Sequence, residues 1–358
     1  MDIKRLATTL ALSAVAYAAN AEMHFQPVGD MVVPASQHRD VLLKNGNVLI
    51  TGGQNGEGGI ANAQVFDPKT KKFTDAGMMT EPRFVHAMNV LADGRVLITA
   101  GFSKAGQFLQ TSELYDGKSF RKGPQLVENR DNQRTIDLGS GKVFIEGGDN
   151  EKLGYIASTE LFDPKGNTFT AGPLLPTGRA MDTISDIGKG KTLLAGGMKI
   201  VDFKQVFLKE TVIYEEKSNT VKAGPDLITA RKQHKATTLR DGRVLFTGGM
   251  NDSGTLDSAE IYSSGKIKQA AKMVSPRREH CSVLLNDGRV LVAGGHTGID
   301  FTATTEVFDP STGKFSAGPS MAAARAFPTC TKFKDGTVLV AGGSNQSGAT
   351  NSAEILVP

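Results

Sequence analysis

Apolar and polar positions along this chain fall into a short, recurring grammar. A run such as "HKATTL" (234–239) or "HCSVLL" (280–285) mixes apolar and polar residues. It is followed by Asp-Gly or Asn-Gly, and then by a continuously apolar stretch that closes on a glycine pair. The stretch is nearly copied at "DGRVLITAGF" (93–102), "DGRVLFTGGM" (241–250), "DGRVLVAGGH" (287–296) and "DGTVLVAGGS" (335–344). The first run predicts one strand, and the unbroken apolar stretch after the turn predicts a second strand buried on both faces. Asp-Gly between them predicts a hairpin with a two-residue type I′ turn. A third strand reads as "AQVFDP" (63–68) or "TEVFDP" (305–310), and a short fourth ends in a Phe-x-x-Gly-type signal, as from Phe315 to Gly318. No stretch shows a helical period.

The unit repeats seven times. Turn glycines stand at Gly46, Gly94, Gly141, Gly190, Gly242, Gly288 and Gly336, and each is followed seven residues later by the closing glycine, from Gly53 to Gly343. Successive steps are 48, 47, 49, 52, 46 and 48 residues, so seven units account for the chain after its first 21 residues. Four short strands per unit predict an all-β fold, a seven-bladed β-propeller. The last unit stops at its third strand, "AEILVP" (353–358), whereas "MHFQPVGDM" (23–31) matches the fourth-strand segment "GKFSAGPSM" (313–321). The N-terminal strand is therefore expected to complete the last blade and close the ring, hiding the edges of an open array.

The ordered set of Asp-Gly turn, double glycine, x-Glu-[IVL]-[YF]-Asp and a later Arg-x-x-His resembles the kelch repeat, here of an exported, bacterial type. The resemblance spans residues 22–358 and implies four-stranded kelch blades similar in fold to the galactose oxidase propeller. The tryptophan common on kelch fourth strands is absent, since the chain has no Trp at all. Phenylalanine or an aliphatic side chain takes its place and anchors the core less strongly. Galactose-oxidase-type enzymes imply copper held by tyrosines, a cysteine crosslink and histidines. No residue here matches that set: Tyr115, Tyr214 and Tyr262 occupy the packing position of strand three. Sialic-acid-epimerising propellers share the fold, without a catalytic set that transfers.

Residues 1–21 carry Lys4 and Arg5, then an apolar stretch from Leu6 to Ala19 and a small-x-small end at Ala19-Asn20-Ala21. This is the pattern of a secretory signal peptide. It predicts a protein that is exported, periplasmic or secreted, with one propeller domain at 22–358 and no membrane insertion. The net charge of +4 over 358 residues is too weak to argue for nucleic acid. Cys281 and Cys330 lie at +4 and +5 from the arginines of blades six and seven, on innermost strands of neighbouring blades. Opposite side-chain parity on adjacent blades predicts a disulfide between them.

Candidate chemistry gathers on one rim, where the loops after the double glycines and the Arg-x-x-His segments both emerge. Arg83, Arg130, Arg179, Arg231, Arg277 and Arg325 recur at one register, with Ala35 in the first unit. They form either a cationic ring for an acidic ligand or a set of structural pairs with Glu113, Glu160, Glu260, Glu306 and Glu354. His38, His86, His234 and His280 recur as well, and His296 follows a double glycine. Side chains spread around a ring do not converge on a metal, so no metal or cofactor is expected. Rim carboxylates Glu57, Asp149, Glu151, Asp252 and Asp300 are acid/base candidates for a glycan enzyme, and Tyr155 is the one tyrosine in a rim loop. Blade four has the longest such loop, 17 residues from Gly197 to Tyr214 against 13 or 14 elsewhere, and it is apolar: "MKIVDFKQVFLK" (198–209) with Ile200, Phe203 and Phe207. The sequence thus predicts a binding module, expected to be monomeric, that offers rim loops to a protein or glycan partner. The alternative is a carbohydrate-modifying enzyme using rim carboxylates.

Overall fold

The computed structural model describes residues 23–152 and 154–358, and the expected signal peptide at 1–21 lies outside them. Among the described residues every regular element is a β-strand. Of the seven four-stranded antiparallel sheets, six run in simple sequence order, and the seventh takes its outer strand from the N-terminal segment. Blade one, for example, pairs Arg39–Leu42 with Val48–Thr51, then Asn62–Asp67, then Lys72–Met78. The seven innermost strands begin at Arg39, Ala87, Arg134, Thr183, Lys235, Cys281 and Thr329. Each lies against that of the next blade, and the seventh lies against the first, so the ring is closed. His24–Pro27 forms the outer strand of blade seven, with Phe25 opposite Leu356 and Pro27 opposite Glu354. Proline is tolerated there because an edge strand has a side that needs no donor.

The second strands hold the core. Val48–Thr51, Val96–Thr99 and Val244–Thr247 are buried throughout, because each is sandwiched between two neighbouring blades. The missing tryptophan is offset by ring pairs between strands three and four. Phe66–Phe73, Tyr115–Phe120, Phe162–Phe169 and Phe308–Phe315 have centroids 4.6–4.9 Å apart. The double glycine is needed for both of its properties. Gly52 and Gly53 have φ of +57° and +97°, and a Cβ on them would stand 2.3 Å from the Arg83 carbonyl oxygen and 2.7 Å from that of Ser36.

One local expectation fails. The Asp-Gly turns are not two-residue type I′ turns, since only the glycine takes a positive φ, as at Gly46 and Gly94. Gly94 N–H donates to Leu91 O and Leu91 N–H to Arg95 O, both at 2.8 Å. This is a type I turn followed by a glycine bulge, and the aspartate belongs there because its carboxylate accepts the N–H two residues on. Asp93 Oδ1 accepts from Arg95 N at 2.9 Å.

Candidate functional site

The rim arginines are turned inward. Arg83, Arg130, Arg231, Arg277 and Arg325 are fully buried, and each donates Nη2 to a strand-three glutamate: Glu113, Glu160, Glu260, Glu306 and Glu354, at 2.7–3.1 Å. Nη1 of each donates to carbonyls, for Arg277 those of Gly294 and Thr304. The same glutamate accepts two backbone N–H groups of the loop before the arginine, for Glu306 those of Val274 and Ser275. The arginine ring is therefore a set of staples, closed to any ligand on that rim. Blade one has Ala35 in place of the arginine and Gln64 in place of the glutamate, a neutral pair that still accepts from Val32 N.

Blade four departs differently. Arg179 keeps its carbonyl contacts to Gly196 and Glu210, but its glutamate position is Val212. The compensating charge comes from Glu146 and Asp182, which are also buried. Burial, with Asp182 close by, pushes Glu146 well up, and burial raises Asp182 as well, against the pull of Arg134 and Arg179.

The histidines are inter-blade ties. His86 Nε2 meets Thr51 Oγ1 at 2.9 Å and His280 Nε2 meets Thr247 Oγ1 at 2.9 Å, while His38 and His234 reach Thr329 and Thr183. Burial holds all four below the usual imidazole range, His38 down to about 4. They are therefore neutral at physiological pH.

Between them lies a collar. Gln37, Val85, Asn132, Met181, Gln233, Glu279 and Phe327, one per blade, all have φ between +48° and +59°. The N–H of Val85 donates to Gln37 O, Asn132 to Val85, Gln233 to Met181, Glu279 to Gln233 and Phe327 to Glu279. Left-handed backbone is costly for Val or Phe, and a backbone bond across a blade gap offsets that cost. The collar rings an axial cavity of about 670 Å³ that opens among the rim loops. Its charged lining comprises Arg39, Arg134, Lys235, Asp40, Asp131, Asp149, Asp182 and Glu279. Burial and Asp149 push Asp131 up to about 9, so it is protonated at neutral pH and donates to Asp149. Asn132 Nδ2 donates to Asp131 Oδ1 at 3.1 Å. Burial and neighbouring cations lower Lys235 to about 8 and Arg39 to about 10. Sequence reading missed this lining. Its trace was visible: only blades one, three and five place a cation directly after the histidine register, in "QHRD", "NQRT" and "QHKA".

The blade-four loop forms a two-stranded hairpin, Met198–Val201 with Lys204–Phe207. Its two-residue turn holds Asp202 and Phe203 at φ of +49° and +62°. Phe203 is completely exposed, and Ile200, Val201 and Val206 are 51%, 44% and 37% exposed. Phe207 instead folds back beneath Lys232, whose Nζ stands 5.3 Å from the ring centroid. Tyr155 adjoins the hairpin base, its hydroxyl donating to Met198 Sδ at 3.4 Å. His296 sits apart, its Nδ1 accepting from Gly298 N and its ring edge-on to Phe301. Of the rim carboxylates only Asp149 reaches the cavity. Glu151 is engaged by Asn129 and Asp300 by Gln346, each on its own blade-edge loop. Cys281 and Cys330 form a disulfide with Cα atoms 6.0 Å apart, tying blade six to blade seven.

The Kelch motif model matches residues 277–322, which run from the arginine of blade six past its fourth strand. No curated protein matches the sequence. Among solved structures, a fungal alcohol oxidase of the AA5 family, in complex with copper, superposes with a TM-score of 0.77 at 18% identity, over 93% of this chain and 76% of that one. That likeness is one of fold. The four buried histidines are bonded to threonines, and the two cysteines are joined to each other. Among the described residues no three His, Cys, Asp or Glu side chains group to hold a metal. Seven four-stranded repeats in one register make this chain a seven-bladed β-propeller, with a Kelch motif matched in its sixth blade.

Proposed function

We propose that this protein is an exported, monomeric binding module that captures a protein partner on the hairpin-bearing rim, with the 198–207 hairpin as its contact. The observation that carries this reading is Phe203: a wholly exposed aromatic ring at the tip of a hairpin, in a turn conformation disfavoured for its residue type. Aromatic anchors of this kind dominate protein interfaces. Lys204 stands beside the apolar tip, so the fitting partner has an apolar notch with a carboxylate at its edge. The leader at 1–21 and the Cys281–Cys330 disulfide support an oxidising compartment.

A photo-crosslinking residue at position 203, and a control at Ser253 on the neighbouring hairpin, test the reading in native extract. A discrete adduct at 203 alone is expected. It should be lost on adding excess protein with an unmodified tip and kept on adding excess Phe203→Ala protein, whose melting temperature stays unchanged. Identical adducts from both positions, an adduct only with a second copy, or capture by anionic vesicles alone would each overturn it. One observation favours the alternative of a carbohydrate-modifying enzyme: the Asp131–Asp149 pair on the cavity wall unites a protonated and an accepting carboxyl.

A further inference from the structure

We infer that the axial cavity is a receptor for a small organic oxyanion, whose carboxylate or phosphate head is seated among Arg39, Arg134 and Lys235. These three residues occupy one register of the innermost strands in blades one, three and five, two positions after the collar residue. The other blades place Ala87, Thr183, Cys281 and Thr329 there, none longer than threonine, which leaves the axis open. A cavity near 670 Å³ is of the size that encloses a metabolite-sized molecule.

Three like charges aimed into one cavity repel; Glu279 and Asp40 on the same lining act against that repulsion at a distance, but little of it is answered by direct contact. Neither Arg39 nor Lys235 has a carboxylate within 4.0 Å among the described residues; Arg39 Nη1 donates to the His38 carbonyl at 3.1 Å. Arg134 Nε donates to the Asp182 carbonyl at 2.8 Å and stands 4.0 Å from that residue's carboxyl. Asp40 is committed to Thr331, and Asp131 to Asp149. Glu279, the remaining carboxyl of the lining, has no ion pair within 4.0 Å among the described residues, though Lys235, Arg134 and Arg39 act on it from further off. Beyond burial, Arg134 lowers both Arg39 and Lys235 and Arg39 lowers Lys235, while Glu279 raises both.

An oxyanion relieves this repulsion directly. Two guanidinium groups offer planar donor pairs and Lys235 a point charge, the combination that suits carboxylate and phosphate oxygens. Glu279, Asp149 and Gln233 on the same lining then face the rest of the molecule and accept from or donate to hydroxyls. The expected class is a hydroxylated carboxylate or phosphate ester. The site is separate from the hairpin contact, so either proposal can fail without the other.

Calorimetric titration of the full protein at low ionic strength with glucuronate, glucose 6-phosphate, inorganic phosphate and uncharged glucose tests this. At least one anion is expected to bind at least about tenfold more tightly than glucose, and Arg39→Met and Lys235→Met should each weaken it about tenfold or more. Arg121→Met, on the exterior, should leave it unchanged. Preference for glucuronate assigns a carboxylate head and preference for the phosphates a phosphate head. No anion binding below about 10 mM, or variants that bind as the parent does, overturns the inference. Crystals of the unaltered protein soaked in the same compounds give a measurement independent of variant folding. Density among the three cations supports the site, and density elsewhere only refutes it.

Discussion

Arg231 and Lys235 are four residues apart in blade five and fare oppositely. Arg231 is buried, 2.7 Å from Glu260, and donates its remaining Nη protons to carbonyls and a serine hydroxyl. Lys235 stands on the cavity wall with no ion pair within 4.0 Å among the described residues. The first belongs to a series repeated in six blades, the second to a set that appears in three. Charge that keeps the period of the repeat is used to build the blade. In blade five the charge that breaks the period has no such partner in the fold and is open to a ligand.

Breaking a staple should have the largest effect. Arg277→Ala leaves Glu306 buried without its cation, a change that costs about 3–5 kcal/mol and should lower the melting temperature by roughly 5–15 °C. Arg277→Ala combined with Glu306→Gln copies the Ala35/Gln64 pair of blade one, in which a neutral amide accepts the loop N–H. The double variant should recover most of the loss in a calorimetric scan. A drop of less than about 2 °C in the single variant, or a double variant as unstable as the single, would remove the staple from the account.

The same contrast explains what was legible in the sequence. Blade number, strand order, ring closure by residues 23–27 and the turn positions follow from spacing, because every blade solves the same packing problem. The arginine–glutamate pairing was readable as co-recurrence, though burial was needed to decide between staple and ligand ring. The cavity lining was not read. Arg39, Arg134 and Lys235 sit beside the histidine register but repeat in only three units, so they looked like ordinary surface variation. Their convergence depends on which face of the innermost strand meets the axis, and a one-residue change in that register would turn them into the blade gaps. The Glu146–Asp182 pair escaped for a related reason: it replaces a periodic His–Thr tie with residues whose proximity exists only across two blades.

The histidine ties give a pH-dependent test of intermediate size. In the unfolded chain His38 gains a proton as pH falls through about 6.5, whereas in the fold it does so only near 4. Between these values the unfolded state binds more protons, so the stability this residue contributes is intact above pH 6.5 and is lost progressively down to 4. The loss reaches at most about 3 kcal/mol. The raised carboxyls of Asp131 and Glu146 act in the opposite sense, so the readout is a difference between two proteins. Gln133 already fills this register in blade three and bonds Thr99 O at 2.9 Å, which makes His38→Gln the conservative variant. Its denaturant midpoint should lie close to the parent's at pH 7.5 and approach or exceed it at pH 4.5. Parallel pH curves would show that His38 is not held neutral.

The smallest expected effect is the most discriminating. If the axial cations are surplus to the fold, Arg39→Met and Lys235→Met remove desolvated, mutually repelling charges and should leave the melting temperature within about 2 °C of the parent or raise it. Added salt should distinguish the variants further. Screening relieves repulsion among the three cations, so the parent should gain stability between low and moderate ionic strength and each variant should gain less. A fall comparable to that of Arg277→Ala would mean that these side chains hold the innermost strands together. The aperiodic charges would then be as structural as the periodic ones, and the distinction between Arg231 and Lys235 would be one of exposure alone.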